Sequence, residues 1–265
     1  MQKVLNIGII GAGKVATNLA LSMKKSGFTI DWIWSRTHAS AEKLAIAVNS
    51  RILDSLDQPL PETGMILISL PDDAVAGVAS TIRLTNPETP VVHTSGSLGI
   101  EVFPMHLMNT GVFYPLQTFS ENRLVSLSGI PFCIEARQPG LLELLESCIH
   151  QLGGRAIRTH AEQRLILHIA AVFACNFSNH LYTLSEEILK DSGLSFDLLH
   201  PLLKETVQKA TENPPSLVQT GPAFRGDTGL IEKHLQVLNN KPELKKIYEI
   251  LSRQILEKYH PDGQL

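Results

Sequence analysis

The chain has 265 residues, 43% of them apolar and 18% charged, enough to bury one large core or two smaller ones, with no low-complexity tract. A formal charge of -3 supplies no basic field for nucleic acid or an anionic membrane, and three cysteines (Cys133, Cys148, Cys175) without metal-ligand spacing imply core thiols, no metal site and a reducing, cytoplasmic setting. The longest apolar run, residues 165–177, is interrupted by His168 and is read as too short for a bilayer about 30 Å thick, and no secretory signal is expected at the N-terminus.

Short runs rich in Val and Ile alternate with helix-period segments to about residue 158, the pattern of repeated βα units around a buried parallel sheet. Strands are predicted over residues 4–10, 28–34, 51–53, 65–70, 91–93, 111–113, 131–135 and 155–158, and helices over 14–26, 39–48, 73–83 and 139–152. From residue 161 the period stays helical, with segments 161–190, 196–212, 228–238 and 242–259 and a loop carrying Asn213-Pro214-Pro215 and Gly221-Pro222. The expected architecture is an α/β Rossmann domain with a mostly parallel, doubly wound sheet over 1–159, then an all-α substrate and dimerisation domain over 160–265.

The first strand runs into Gly11-Ala12-Gly13-Lys14-Val15-Ala16, a G-x-G-x-x-A turn between strand and helix. Gly11 permits the tight turn, Gly13 admits a pyrophosphate close to the backbone, and Ala16 lets helix and strand pack closely. Free N–H groups at the helix start, from Ala12 to Val15, face the anion. An NAD enzyme usually places Asp or Glu at the end of the second strand to hold the ribose 2′-OH. This chain has Trp34-Ser35-Arg36-Thr37-His38 there, so Arg36 and Ser35 are assigned to a 2′-phosphate and NADP to the cofactor site; the plain alternative is a solvated arginine.

Ligands of such sheets sit beyond the carboxyl ends of the strands. Leu70 and Pro71 after the fourth strand form either an apolar wall for nicotinamide or a simple strand stop, with Asp72 and Asp73 suited to a helix start. The fifth strand ends in His93-Thr94-Ser95-Gly96-Ser97 and the sixth in Tyr114-Pro115-Leu116-Gln117-Thr118, both polar clusters aimed at the crevice. In the first long helix of the second domain, Arg164, His168, Cys175 and Asn179 share a face, flanked by Asn176. His168 is read either as a satisfied core histidine or as a proton-transfer group, and Arg225 either as a carboxylate binder or as a loop clamp on Asp227.

The residues Ile7 to Ala16, His93-Thr94-Ser95-Gly96, Tyr114-Pro115-Leu116-Gln117-Thr118-Phe119 and Gly221-Pro222-Ala223-Phe224-Arg225-Gly226-Asp227 together resemble one family over nearly the full length. It joins a Rossmann-like domain, assigned to NADP oxidoreductases, to a helical domain of unknown function, number 2520. More distantly the chain is similar to ketopantoate reductase, pyrroline-5-carboxylate reductase, prephenate dehydrogenase and 6-phosphogluconate dehydrogenase, which implies a helical domain like the C-terminal one of the last. The resemblance to prephenate dehydrogenases places a functional serine at Ser95 and a His-Pro pair at Tyr114-Pro115, where this chain departs by carrying tyrosine. A phenol, with a reference pKa near ~10, is a donor and a poor base at neutral pH.

The expected protein is an NADP-dependent oxidoreductase and homodimer acting on a small, carboxylate-bearing molecule in an interdomain cleft. Ser95, Tyr114 and His168 are its catalytic residues, and Gln117, Asn176 and Arg225 its substrate residues. The alternative is a non-catalytic NADP-binding sensor, motivated by Tyr114.

Overall fold

A computed structural model describes residues 4–121 and 123–261. The chain divides into two compact units, 1–176 and 177–265. The change of periodicity near residue 160 therefore precedes the division, and the first helix of the expected second domain packs with the first unit.

That first unit runs β1 (Asn6–Ile10), α1 (Lys14–Lys25), β2 (Thr29–Trp34), α2 (His38–Val48), β3 (Arg51–Ile52), β4 (Met65–Ile68), α3 (Asp72–Thr81), β5 (Val91–His93), β6 (Thr110–Pro115), β7 (Pro131–Ala136), α4 (Pro139–Gln151), β8 (Arg155–Arg158) and α5 (Ala161–Ala171). The strands form one sheet in the order β3-β2-β1-β4-β5-β6-β7-β8. All neighbours are parallel except β6 and β7, so β7 and β8 run opposite to the rest. Chain direction reverses its progress across the sheet between β1 and β4, which is the switch point where α/β sheets bind ligands.

Core formation follows the residue pattern. β1 and β4 are apolar on both faces because helices cover both, and Ile7, Ile9, Met65 and Leu67 are fully buried, each such side chain contributing about 1.5–3 kcal/mol. α1 meets this core with Ala16, Leu19, Ala20 and Met23, one stripe at three- and four-residue spacing. Gly8 is required by packing, since a Cβ there would overlap the indole of Trp32 on β2.

In the second unit are α6 (Ser178–Asp191), α7 (His200–Glu212), α8 (Thr228–Val237) and α9 (Pro242–Tyr259). Asp227 starts α8 by accepting the Leu230 N–H at 3.1 Å, and His234 Nδ1 lies 2.7 Å from the Tyr248 hydroxyl of α9. This unit leaves large side chains exposed, among them Leu198, Leu202, Val207 and Leu217. A π-helical turn, Val172–Phe177, joins α5 to α6, so helix continues from Ala161 to Asp191. By length and composition this stretch is long and apolar enough to cross a membrane, with a mean hydropathy of 1.3 in its most apolar window, none of which is buried. The apolar run 165–177 is the middle of this longer helix, which was expected over 161–190.

Candidate active site

A cavity of about 550 Å³ opens at the carboxyl ends of β1, β4, β5 and β6. All its lining residues belong to the first unit. Backbone bonds stack the strand ends beneath it: Gly11 N–H donates to Trp34 O at 2.7 Å, Ser69 N–H to Ile10 O at 2.8 Å, and Thr94 N–H to Ile68 O at 3.1 Å.

At the β1 end lies the glycine turn. Gly11 has φ +118°, and a Cβ there would strike the Ser69 carbonyl, so both backbone and neighbour demand glycine. Gly13 faces open space, and α1 begins there with no side-chain cap and no acidic residue in its first turn. Uncapped N–H groups above an open floor fit a dinucleotide pyrophosphate. Gly13, Lys14, Val15, Leu70 and Pro71 line the cavity, while Gly11 and Ala12 belong to the turn but not to the lining. Ser35 and Arg36 follow β2 outside the cavity lining, half-buried and exposed respectively, with Ser35 Oγ 3.4 Å from the Thr37 N–H.

The β6 end carries a phenol and an imidazole in contact. Tyr114 Oη and His168 Nδ1 lie 3.1 Å apart, with their rings edge to face. Burial, followed by the charges of Cys133, Asp72 and Cys175, pushes the Tyr114 phenol up to about 12, so it remains a phenol at neutral pH. The bond runs in either of two senses: Tyr114 donates to an Nδ1 lone pair, or an Nδ1–H donates to Tyr114 and frees the phenol proton for the cavity. Gly96 lies against the pair, where a Cβ would come 2.7 Å from Tyr114 Cζ and 2.9 Å from His168 Nδ1.

α5 is held to the sheet at two levels. Arg164, fully buried, pairs with Glu135 of β7 at 2.8 Å and donates to Leu98 O at 2.6 Å. One helical turn later His168 meets Tyr114, and Glu135 sits opposite Val112, two residues before Tyr114 on β6. Four helical residues rise about 6 Å and two strand residues about 6.6 Å, so the two contacts are matched rungs. The antiparallel turn of β7 makes this possible by bringing Glu135 beside β6.

Ser95 follows β5. It lines the cavity, but its Oγ accepts the N–H groups of Ser97 and Leu98, each at 3.1 Å, and lies 3.4 Å from Ser97 Oγ. Its hydroxyl thus organises the loop after β5. His93 does the same from beneath: Nδ1 accepts the Ser95 N–H at 3.2 Å, which leaves the proton on Nε2 to donate to Gly99 O at 3.3 Å. Burial, offset in part by the Gly99 bond, lowers His93 to about 4; the nearby Arg164 charge also lowers it, while Asp72 and Glu101 raise it.

Gln117 lines the cavity with its Oε1 turned to the Thr118 N–H at 2.8 Å, and Asn176 is delivered by the π-helical turn together with Cys175. Arg225 belongs to the second unit and is exposed; Asp227 caps α8 through Oδ1, and among the described residues no ion pair joins it to Arg225. Sequence reasoning missed Asp72 as a lining residue and Asn18 as the support of the loop after β6. Asn18 Oδ1 accepts the Val125 N–H at 3.0 Å and Asn18 Nδ2 donates to Lys14 O at 3.0 Å. A buried amide on an otherwise apolar helix stripe was the available signal.

A Rossmann-like domain model matches residues 1–117, and a model described as domain of unknown function 2520 matches residues 130–255. A Bacteroides fragilis protein described as a "putative NADP oxidoreductase" is 40% identical, with 96% of this chain and 98% of that one covered and a TM-score of 0.88. The chain belongs to this family, which joins a Rossmann-like domain to the domain of unknown function 2520. Protein TM1727 of Thermotoga maritima shares the fold at 24% identity over 95% of this chain and 98% of that one, with a TM-score of 0.70. So does an imine reductase of Myxococcus stipitatus, solved with NADP+, at 14% identity over 97% of this chain and 95% of that one, with a TM-score of 0.69. No curated protein matches the chain.

Proposed function

We propose that the chain is an NADP(H)-dependent oxidoreductase that moves a hydride to or from a small molecule held in the cavity. The observation that carries this reading is one continuous cavity running from an uncapped helix start at a G-x-G-x-x-A turn to the hydrogen-bonded Tyr114–His168 pair. The description of the Bacteroides fragilis relative supports it. A nicotinamide dinucleotide, when bound, supplies the hydride donor or acceptor.

The chain's own residues divide the remaining work. Backbone N–H groups of the turn and first residues of α1 bind pyrophosphate, and Leu70 and Pro71 wall the nicotinamide and exclude water. Tyr114, kept protonated, hydrogen-bonds the reacting group through its hydroxyl, and His168 orients the phenol. Ser95 holds the loop that positions both, while Gln117 and Asn176 contact the substrate.

The choice of NADP over NAD rests on Ser35 and Arg36, which stand where a carboxylate would select a free ribose hydroxyl. The free thiols suit a cytoplasmic setting. The helical segment 160–265 is assigned to substrate binding and to a homodimer, in which a second copy covers the apolar side chains that each unit leaves exposed. Titration with NADPH and NADH tests the cofactor. NADPH is expected to bind more tightly, with Arg36→Ala removing about tenfold of that preference. Equal affinity for both cofactors, or an unchanged Arg36→Ala, overturns the assignment.

A further inference from the structure

The cavity has an uneven distribution of fixed charge. Lys14, the first residue of α1, is its lining cation and stands at the glycine turn, the end assigned to pyrophosphate. Asp72, the first residue of α3, is its lining carboxylate and stands beyond β4, past Leu70 and Pro71. β4 lies between β1 and β5, so Asp72 follows the strand next to that of Lys14, yet it is the negative charge of Asp72 that is felt at the Tyr114 hydroxyl two strands away, where it opposes loss of the phenol proton. Ser97 Oγ donates to Asp72 Oδ2 and fixes the carboxylate, leaving Oδ1 without a hydrogen-bond partner among the described residues. The β4–β6 end therefore presents one oriented negative charge, two serines, a phenol and an imidazole, with no Lys or Arg in its lining.

We propose that Asp72 selects a substrate whose reacting group is a cationic nitrogen, a protonated imine or the corresponding amine, in place of a keto acid. The inference rests on the oxidoreductase reading above. A carboxylate next to the reacting carbon meets Asp72 with no guanidinium in the lining to offset it, whereas a C=N+ group gains an ion pair as it approaches. In the reducing direction the iminium carbon gains hydride from the reduced nicotinamide, the π pair becomes the nitrogen lone pair, and a neutral amine and the oxidised dinucleotide result. No proton is needed at the nitrogen during hydride transfer, which suits a tyrosine that stays protonated throughout.

The structural alternative is that Asp72 serves only the start of α3, as first-turn acids commonly do. Asp73, next in the same turn and outside the cavity lining, controls for that. The experiment compares pyrrolidine, a cation at neutral pH, with cyclopentanol and with cyclopentanecarboxylate, each titrated into the full-length protein with and without saturating NADP+ and followed by calorimetry and thermal shift. Pyrrolidine is expected to bind best, and Asp72→Asn to weaken it about fivefold, a range suited to a partly solvated ion pair. Asp73→Asn should leave it unchanged, and Asp72→Asn should leave NADP+ affinity unchanged. Pyrrolidine binding no better than cyclopentanol, an Asp72→Asn variant that binds it as well as wild type, or a loss of NADP+ affinity in that variant overturns the proposal. A chain that binds pyrrolidine through Asp72 but no NADP(H) would instead sink the oxidoreductase reading and leave the cation site standing.

Discussion

Lowering the pH should weaken the first unit through His93 in particular. Its imidazole is fully buried, accepts from one backbone N–H and donates to one carbonyl, and titrates at about 4 in place of 6.5. Between those values the unfolded chain binds a proton that the folded chain refuses, so stability is fully present above pH 6.5 and is lost as the pH falls toward 4. At about 1.36 kcal/mol per pKa unit, the loss approaches 2 kcal/mol by pH 5 and about 3 kcal/mol across the window. Both tryptophans, Trp32 and Trp34, lie on β2, so intrinsic fluorescence follows this unit during urea unfolding. His93→Gln keeps an amide donor and acceptor but does not titrate. It should be less stable than wild type at pH 7 and should close most of that gap by pH 5, because the carboxylates of the protein titrate in both chains and cancel in the difference. Two stability curves that stay parallel from pH 7 to pH 5 would refute the claim that a buried neutral imidazole holds this loop.

Gly96→Ala should displace the Tyr114–His168 pair, since the new methyl group has no room beside either ring. Cofactor titration should be unaffected while turnover, or the affinity of a substrate-site ligand, falls about tenfold or more; an unchanged ligand affinity and rate would remove the pair from the site. Sedimentation at micromolar concentration should find a dimer that detergent is not required to keep in solution. A monomer, or a chain that partitions into lipid vesicles through residues 161–191, would defeat the homodimer assignment.

Local features of the fold are plain in the residue pattern. The glycine turn, the apolar strands and the four helices between them require only short-range periodicity, and each was expected within a few residues of where it lies. The reversed direction of β7 is not encoded that way, because an apolar run reads the same whether its neighbours run with it or against it. Arg164 belongs to the polar face expected on its helix, yet its partner Glu135 is 29 positions away and nothing local announces the pairing. Asp72 looked like an ordinary helix-start acid, which it also is, and a helix start gives no sign of whether its outer face borders solvent or a cavity. Ser95 was expected as a catalytic hydroxyl from the resemblance to prephenate dehydrogenases, which carry a functional serine after the fifth strand. That hydroxyl is engaged by the N–H groups two and three residues on, a turn that Ser makes in many loops without chemistry. The domain division was expected where helices begin, whereas compactness depends on what α5 packs against.

The matched rungs of α5 act as a key in a lock with two wards. A slip of one residue along the helix would move its side chains about 1.5 Å axially and about 100° around the axis, disengaging Arg164 from Glu135 and His168 from Tyr114 together. No partial misalignment preserves one contact and loses the other by sliding. The placement of the phenol's partner is therefore indexed by an ion pair one turn below it, at a site that faces the cavity with nothing, and tolerance at the reacting end is set by charge buried elsewhere.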